Sequence, residues 1–331
     1  MKAIVCKQYG PPDSLVFEDV PPPKAAKGQV VVSIKAAGVN FPDTLIIQNK
    51  YQFKPELPFS PGCECAGIVK EAGEGVTSLK PGDLVIALTT YGAFAEEILV
   101  KESECISLPK GVDFKQAAGF TLTYGTSYYA LHNRAQLKKN EMLLILGAAG
   151  GVGSAAIELG KLMGARVIAC ASSAEKLAAC KQLGADELIN YESEDLRERI
   201  KQLTHDRGID VIYDAVGGKY AEPAVRSMNW NGRYLVVGFA AGEIPKIPLN
   251  LTLLKGSSLV GVFWGSFMRK EPAEAVKNHT QLMNWLCDGK LKPLISGVYP
   301  LEQASRALAD LMERKVKGKV VLVMDALPAP I

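Results

Sequence analysis

The sequence predicts an α/β protein of two domains, in which a doubly wound parallel sheet is inserted into an all-β, barrel-like unit. Short alternating or apolar runs, broken by proline and glycine, fill roughly the first third of the chain, a pattern typical of strands joined by turns. From about residue 118, helical periods alternate with short apolar strands, as they do in βαβ units. The two sequence patterns therefore predict two different domains.

The elements follow from these patterns. In the first pattern, strands are predicted at residues 3–6, 15–17, 29–34, 66–69 and 83–87. In the second, six strands are predicted for one parallel sheet, at residues 142–146, 167–170, 187–191, 210–213, 234–237 and 258–263. Helices around residues 273–288 and 301–315 precede a last strand at residues 319–323, which we expect to rejoin the first domain. The predicted domains are residues 1–122 with 266–331, and residues 123–265.

Composition narrows the function classes. The 331 residues carry a net charge of only +3, so no nucleic-acid partner is expected. No apolar run approaches the roughly 20 residues of a membrane span, and the first residues do not form a signal peptide. The seven scattered cysteines are typical of reduced thiols. We therefore expect a cytoplasmic protein that acts on a small molecule.

A glycine-rich loop at residues 147–153 follows a predicted strand and opens a predicted helix. Glycines let the backbone approach a pyrophosphate, whose charge lies on the free N–H groups of the helix start. The loop departs from G-x-G-x-x-G because Ala148 replaces the first glycine. The context nevertheless predicts dinucleotide binding by five residues: Ala149, Gly150, Gly151, Val152 and Gly153. The alternative is a tight turn without a ligand.

The end of the second parallel strand indicates which coenzyme binds. NAD sites place an Asp or Glu there, but this chain has Ser172 and Ser173, with Lys176 one turn further and Tyr191 ending the next strand. These side chains offer hydrogen bonds and one positive charge to a 2′-phosphate, so NADPH is predicted. The alternative is that Ser172 opens a capping box with Glu175 and Lys176 is only solvated.

Four motifs occur in a familiar order: residues 36–43 (AAGVNFPD), 61–67 (PGCECAG), 147–153 (GAAGGVG) and 214–218 (DAVGG). On these motifs the chain resembles the zinc-free quinone oxidoreductases of the medium-chain dehydrogenase/reductase superfamily, over essentially its whole length. The resemblance implies a GroES-like catalytic domain interrupted by a Rossmann domain, with the nicotinamide in the cleft between them.

The resemblance also implies the site residues. Asn40 and Thr126 would line the nicotinamide, and Tyr51 would lie near the substrate. The 2′-phosphate would be held by Ser172, Ser173, Lys176 and Tyr191. The far side of the nicotinamide would be bounded by Val216, Gly217, Phe239, Ala240, Phe263, Trp264 and Gly265.

The resemblance further implies that the catalytic zinc of related alcohol dehydrogenases is missing. Asn40, Cys63 and Ala118 stand where the ligands would be, and we interpret Cys63 and Cys65 as core thiols. Without a Lewis acid the acceptor must itself be electrophilic, as quinones and conjugated carbonyls are. Asn40 and Tyr51 are the side chains predicted to contact the developing oxyanion, with Tyr51 or solvent delivering the proton. Asp43 and Glu64 are predicted to be structural acids.

Three other functions remain open: a reductase of enoyl or alkenal double bonds, a nucleotide-binding protein without catalysis, and a zinc-containing alcohol dehydrogenase. Turnover with a quinone and an enone, NADPH binding without turnover, and stoichiometric zinc would distinguish them. A homodimer is also predicted, because residues 259–263 form an apolar edge strand that invites pairing with a second copy.

Overall fold

The computed structural model describes residues 1–324 of the chain. These residues divide into unit 1, residues 1–122 and 293–324, and unit 2, residues 123–292. The strands are β1 (Lys2–Val5), β2 (Val16–Asp19), β3 (Gln29–Val39), β4 (Glu64–Ala72), β5 (Leu84–Leu88), β6 (Glu97–Lys101), β7 (Cys105–Ser107), β8 (Met142–Leu146), β9 (Arg166–Ala171), β10 (Glu187–Asn190), β11 (Ile209–Asp214), β12 (Met228–Val236), β13 (Ser258–Gly261), β14 (Ile295–Pro300) and β15 (Lys319–Val323).

The α-helices are α1 (Phe41–Ile46), α2 (Phe114–Ala118), α3 (Thr121–Tyr128), α4 (Gly151–Leu162), α5 (Ala174–Gln182), α6 (Leu196–Thr204), α7 (Ala221–Arg226), α8 (Asn250–Lys255), α9 (Trp264–Lys270), α10 (Pro272–Cys287) and α11 (Ala304–Met312). A π-helical segment, Tyr129–Arg134, follows α3 directly. None of the helices in residues 1–324 is both long enough and apolar enough to span a membrane.

Unit 1 is built on a mostly antiparallel sheet. Its strand order is β14-β15-β3-β4-β5-β7, and β6 pairs with β3. The long strand β3 contributes Val30, Val32 and Ile34 to the buried core, as expected of a strand with one face turned inward. The last strand, β15, is antiparallel to β3, with Val320 opposite Val39. The prediction that the end of the chain rejoins the first domain is therefore confirmed.

Unit 2 is built on six parallel strands in the order β10-β9-β8-β11-β12-β13. All five residues of β8 are buried, because helices cover both faces of such a sheet. From β8 the chain first adds β9 and β10 on one side and then β11, β12 and β13 on the other, so the order of the strands reverses between β8 and β11. Ligands of doubly wound folds bind at that switch point, outside the carboxyl ends of the strands. The predicted doubly wound sheet is confirmed.

The second boundary between the units differs from the predicted one. It falls after residue 292 rather than after residue 265, because α9 and α10 pack on the start of unit 2. The ring of Phe267 stacks on Tyr129 at 4.2 Å between centroids, and the Nδ2 of Asn278 donates to Asn133 Oδ1 at 2.8 Å. Periodicity predicted α10 but not α9, and it carried no information about which core either helix joins.

Several local elements also differ from expectation. Strands β6, β7 and β14 and helices α1, α2, α3 and α9 were not predicted, since each is short. The strand predicted to continue to residue 263 ends at Gly261. Phe263 instead precedes the first residue of α9.

Candidate active site

The glycine loop of unit 2 leads into the start of α4, and its Gly153 has no room for a side chain. Gly150 is the N-cap of α4, with φ −80° and ψ 175°, so the N–H groups of residues 151–153 have no acceptor within the helix. A Cβ on Gly153 would lie 2.3 Å from the carbonyl oxygen of Gly147 and 2.8 Å from the Cα of Ala148. The loop thus packs backbone against backbone and leaves a row of N–H groups suited to an anion.

The second strand end brings together the residues predicted for a 2′-phosphate. Lys176 Nζ lies 3.3 Å from Ser172 Oγ, and the Tyr191 N–H donates to Ala171 O at 3.3 Å. Tyr191 also packs on Tyr220, with 4.3 Å between ring centroids. Ser172, Lys176 and Tyr191 therefore surround the end of β9.

The capping residue of α5 is Ser173 rather than Ser172. Ser173 Oγ accepts from the Lys176 N–H at 3.3 Å, and α5 begins at Ala174. The expectation of a capping box between Ser172 and Glu175 is wrong by one residue, because two consecutive serines can each supply the cap oxygen. The Ser172 hydroxyl is consequently not needed by the helix.

A buried carboxylate fixes the turn that follows β11. Asp214 Oδ1 accepts from the N–H groups of Val216 and Gly217 at 2.7 and 2.8 Å, and Asp214 Oδ2 accepts from the Tyr234 hydroxyl. Burial raises the pKa of the Asp214 carboxyl. Gly217 has φ +68° and ψ −145°, a conformation open essentially to glycine.

This turn meets the other strand ends at the switch point. A Cβ on Gly147 would lie 2.7 Å from Val216 Cγ2, and one on Gly217 would lie 3.0 Å from Phe239 Cδ1. The Ala240 N–H donates to Ala215 O at 3.1 Å. The loops after β8, β11 and β12 thus form one continuous surface.

The start of α9 closes this surface against α3. A Cβ on Gly125 would lie 2.6 Å from Trp264 Cζ2, so the indole packs directly on α3 beside the half-buried Thr126. The Ser127 hydroxyl ties α3 to the glycine loop by donating to Val152 O at 2.8 Å. Of the remaining predicted residues, Phe263 and Gly265 flank Trp264 in sequence, and Phe263 is 46% exposed.

Unit 1 holds a buried polar cluster, which we call the Asn40 cluster: Asn40, Asp43, Cys63, Glu64 and Lys319. Asn40 Nδ2 donates to Glu64 Oε1 at 2.9 Å, and its backbone N–H donates to Asp43 Oδ2 at 2.8 Å. Lys319 Nζ donates to Asn40 Oδ1 and to Glu64 Oε1. All five residues are buried.

Burial alters the acidity of this cluster. It raises the pKa of the Asp43 carboxyl to about 7 and raises the pKa of the Cys63 thiol. Burial likewise raises the pKa of the Cys65 thiol. Both cysteines are therefore protonated at neutral pH, which agrees with the interpretation that they are core thiols. Among residues 1–324, no group of three or more His, Cys, Asp or Glu side chains is placed to hold a metal ion.

Tyr51 is half-buried and packs against the core of unit 1, with its ring 6.0 Å from that of Phe53. Its predicted contact with an acceptor stays a prediction. The same holds for Asn40, whose side chain is committed to the Asn40 cluster.

Sequence reasoning missed two residues of these sites. Lys319 begins an apolar strand, where a lysine usually reaches solvent, and only the pairing of β15 with β3 reveals its burial. Asp214 lies in the DAVGG motif quoted above. The local signal for this role is spacing: the Asp214 carboxylate accepts hydrogen bonds from the N–H groups two and three residues later, as in an Asx-turn.

Two family models match the chain. Residues 26–110 match the alcohol dehydrogenase GroES-like domain, and residues 151–281 match the zinc-binding dehydrogenase family. The two matches fall in unit 1 and unit 2 respectively.

Named relatives extend over nearly all of the chain. A quinone oxidoreductase-like protein 2 homolog of Nematostella vectensis is 38% identical over 97% of this chain and 88% of its own length. The rat quinone oxidoreductase-like protein 2 is 35% identical over 97% and 91%.

Solved structures agree with these relatives. The Escherichia coli quinone oxidoreductase, crystallised in complex with NADPH, superposes with a TM-score of 0.92 at 30% identity, covering 98% of this chain and 100% of that one. A probable oxidoreductase from Mycobacterium abscessus gives a TM-score of 0.89 at 38% identity, covering 98% of both chains. The chain therefore belongs to the quinone oxidoreductase family of the medium-chain dehydrogenase/reductase superfamily, with a Rossmann domain inserted in a GroES-like domain.

Proposed function

We propose that the protein is an NADPH-dependent oxidoreductase that reduces quinones or other electron-poor conjugated carbonyl compounds without zinc. The observation that carries the proposal is the anion-binding geometry at the ends of β8 and β9: a glycine-lined helix start beside the Ser172 and Lys176 pair. The NADPH complex of the E. coli relative supports the same coenzyme here.

The residues of unit 2 fit such a coenzyme. The N–H groups of residues 151–153 would receive the pyrophosphate, for which Gly153 leaves room. Ser172, Ser173, Lys176 and Tyr191 would hold the 2′-phosphate: the Ser173 oxygen accepts the cap bond, but its hydroxyl hydrogen is still available as a donor. No acidic side chain stands at residues 171–173 to repel that phosphate.

The nicotinamide end would lie on the surface formed by the later strand ends. The residues that we propose for it are Thr126, Val216, Gly217, Phe239, Ala240, Phe263, Trp264 and Gly265. When bound, the coenzyme supplies a hydride. The chain's own part is to orient it on rigid turns, such as the one fixed by Asp214, and to exclude water with apolar side chains.

The hydrogen bonds and the acidity of the Asn40 cluster support independence from zinc. Asn40 Oδ1, at the position of the first ligand in zinc-containing relatives, accepts instead from the ammonium of Lys319. The Cys63 thiol, at the second position, has a pKa raised by burial and so disfavours the thiolate form that binds metals.

Coenzyme preference tests the proposal most directly. Lys176→Ala should weaken NADPH binding about 10- to 100-fold, because a charge-assisted contact to the 2′-phosphate is worth about 1.5–3 kcal/mol. NADH binding should change less than about twofold. Lys181→Ala, on the same helix but bonded to Asp186 O, is the matched control and should alter neither coenzyme. Equal loss for NADPH and NADH in Lys176→Ala would contradict the proposed subsite.

Turnover tests the reaction. NADPH oxidation, followed by absorbance, should proceed with a quinone in buffer depleted of metal ions and should survive a chelator. Turnover with an enone alone would favour the double-bond reductase, and tight NADPH binding without turnover would favour a nucleotide-binding protein without catalysis.

We also propose a homodimer through the edge of the unit 2 sheet. Strand β13 is the last in the strand order, and Leu259 on it is 38% exposed. Leu249, Leu253 and Leu254, in and just before α8, are 69–80% exposed, an apolar surface of the kind that interfaces cover. Light scattering should give twice the chain mass, and Leu253→Lys should reduce it.

A further inference from the structure

The Asn40 cluster contains a buried lysine, Lys319, whose ammonium donates three hydrogen bonds. Lys319 is 4% exposed, and its ammonium donates to Val39 O at 2.9 Å, to Glu64 Oε1 at 2.9 Å and to Asn40 Oδ1. An ammonium has three hydrogens, so none is left for a ligand. Lys319 therefore has no hydrogen available to bond a substrate as it is held here.

Both carboxylate oxygens of Glu64 also accept hydrogen bonds within the protein. Its Oε1 accepts from both Lys319 and Asn40, and its Oε2 accepts from the Leu122 N–H at 2.9 Å. The side chain is 0% exposed. Gly38 permits this position, since a Cβ there would lie 2.5 Å from Glu64 Oε1. Three hydrogen bonds thus hold the Glu64 carboxylate in place beside Asn40.

These two charges determine which way the Asn40 carboxamide faces. Its Nδ2 has two hydrogens, and the nearby acceptors are Glu64 Oε1 at 2.9 Å, Gly38 O at 3.3 Å and Cys63 Sγ at 3.6 Å. Flipping the amide would place Oδ1 against the carboxylate and Nδ2 against the ammonium, two repulsive contacts. Any further hydrogen bond of this side chain must therefore be accepted by Oδ1.

We propose that Lys319 and Glu64 are positioning residues that lock Asn40 as a hydrogen-bond acceptor, so that Asn40 receives the O–H of a reduced product and does not stabilise an oxyanion. This inference rests on the proposed function and revises the role first predicted for Asn40. A carbonyl-type oxygen repels a developing oxyanion, whereas it binds a hydroxyl. The donor to the oxyanion must then be another group, and the Tyr51 hydroxyl is the remaining predicted one.

The inference separates the two candidate reactions. Hydride from NADPH plus one proton from solvent converts a quinone into a hydroquinone, which carries two O–H groups, and leaves NADP⁺. Reduction of a conjugated C=C bond consumes the same hydride and proton but yields a saturated carbonyl compound with no O–H. An acceptor-only Asn40 therefore favours quinones.

A matched pair of inhibitors tests the lock. A substituted phenol and its methyl ether differ by one O–H donor, and each is measured against the protein with NADP⁺ bound. The wild type should bind the phenol about fivefold more tightly, which is the effect of one net hydrogen bond. The double variant Lys319→Met, Glu64→Gln removes both charges without leaving one unpaired in the core, and it should lose this preference to within about twofold.

Two further variants make the result specific. Lys319→Arg keeps the cation and should retain the preference for the phenol, as should Lys255→Met, which removes a lysine that donates to the backbone carbonyls of Arg226 and Met228. Melting temperatures show that each variant is folded, and a purely structural role for Lys319 would weaken both inhibitors equally.

The inference is overturned if the wild type binds phenol and ether alike, or if the double variant keeps the preference. If the wild type also binds NADPH and reduces a quinone, only the inference fails. If it binds no NADPH, the proposed function fails together with it.

Discussion

Replacement of Gly153 by alanine is the perturbation whose effect the structure defines most closely. The added Cβ would lie 2.3 Å from Gly147 O, whereas ordinary contacts begin at 3.4 Å, so α4 and the end of β8 would have to separate by about 1 Å. Both sides of this contact are backbone and cannot rotate away. Overpacking of this kind costs up to about 3 kcal/mol, and the better helix propensity of alanine returns about 1 kcal/mol.

The net expectation is a loss of about 2 kcal/mol in the free energy of unfolding of unit 2. For a unit of this size that corresponds to a fall in melting temperature of about 4–8 °C, measurable by differential scanning calorimetry. The affinity for NADPH should fall as well, because the displaced helix start carries the N–H groups of residues 151–153.

Gly150→Ala is the matched control in the same loop. Its Cβ would lie 3.4 Å from Gly147 O, and the backbone at φ −80° and ψ 175° suits alanine. Its melting temperature should stay within about 2 °C of the wild type. If Gly153→Ala were as stable as Gly150→Ala, the close approach of helix and strand described above would be wrong.

Three other substitutions have defined outcomes. The raised pKa of Asp43 means that the folded protein holds an extra proton between pH 3.8 and about 7, so this group makes stability fall as pH rises through that window, by up to about 4 kcal/mol. Asp43→Asn should flatten the decline in urea titrations across that range. Tyr234→Phe leaves Asp214 Oδ2 without its hydroxyl donor and should cost about 1–3 kcal/mol of unfolding free energy, with no change in melting temperature as the contrary result. Gly217→Ala should lower both melting temperature and NADPH affinity, since φ +68° with ψ −145° strains any other residue by about 1–3 kcal/mol; unchanged calorimetric and binding data would show that the turn relaxes freely.

Sequence alone predicted those strands and helices whose apolar residues form a continuous run or recur at helical spacing. The apolar run of β8 and the glycines after it specify a strand, a tight turn and a helix, because each is determined by neighbours in the chain. The strand order of unit 2 was not predicted, because the handedness rule for parallel crossovers allows several orders. The ends of elements were harder to predict: Phe263 continues an apolar run, and only its place as the N-cap of α9 shows that the strand has already ended.

The unit 1 site was predictable only in part. Asn40 was found because its motif resembles a family, but the direction of its amide depends on Lys319, which is 279 residues away. No local pattern reports a contact of that separation. The cap of α5 is a different case, because the uncertainty there is local. Ser172 and Ser173 are adjacent and chemically identical, so only the structure shows that Ser173 is the cap.

The position of Lys319 on the last strand has a consequence for how the protein matures on the ribosome. Every residue of unit 2 is synthesised before β15, so Glu64 lacks its countercharge until synthesis reaches Lys319. A nascent chain released before residue 319 would carry a buried carboxylate next to Asn40 with no cation to balance it. A chain truncated before β15 should therefore be less stable than the full chain.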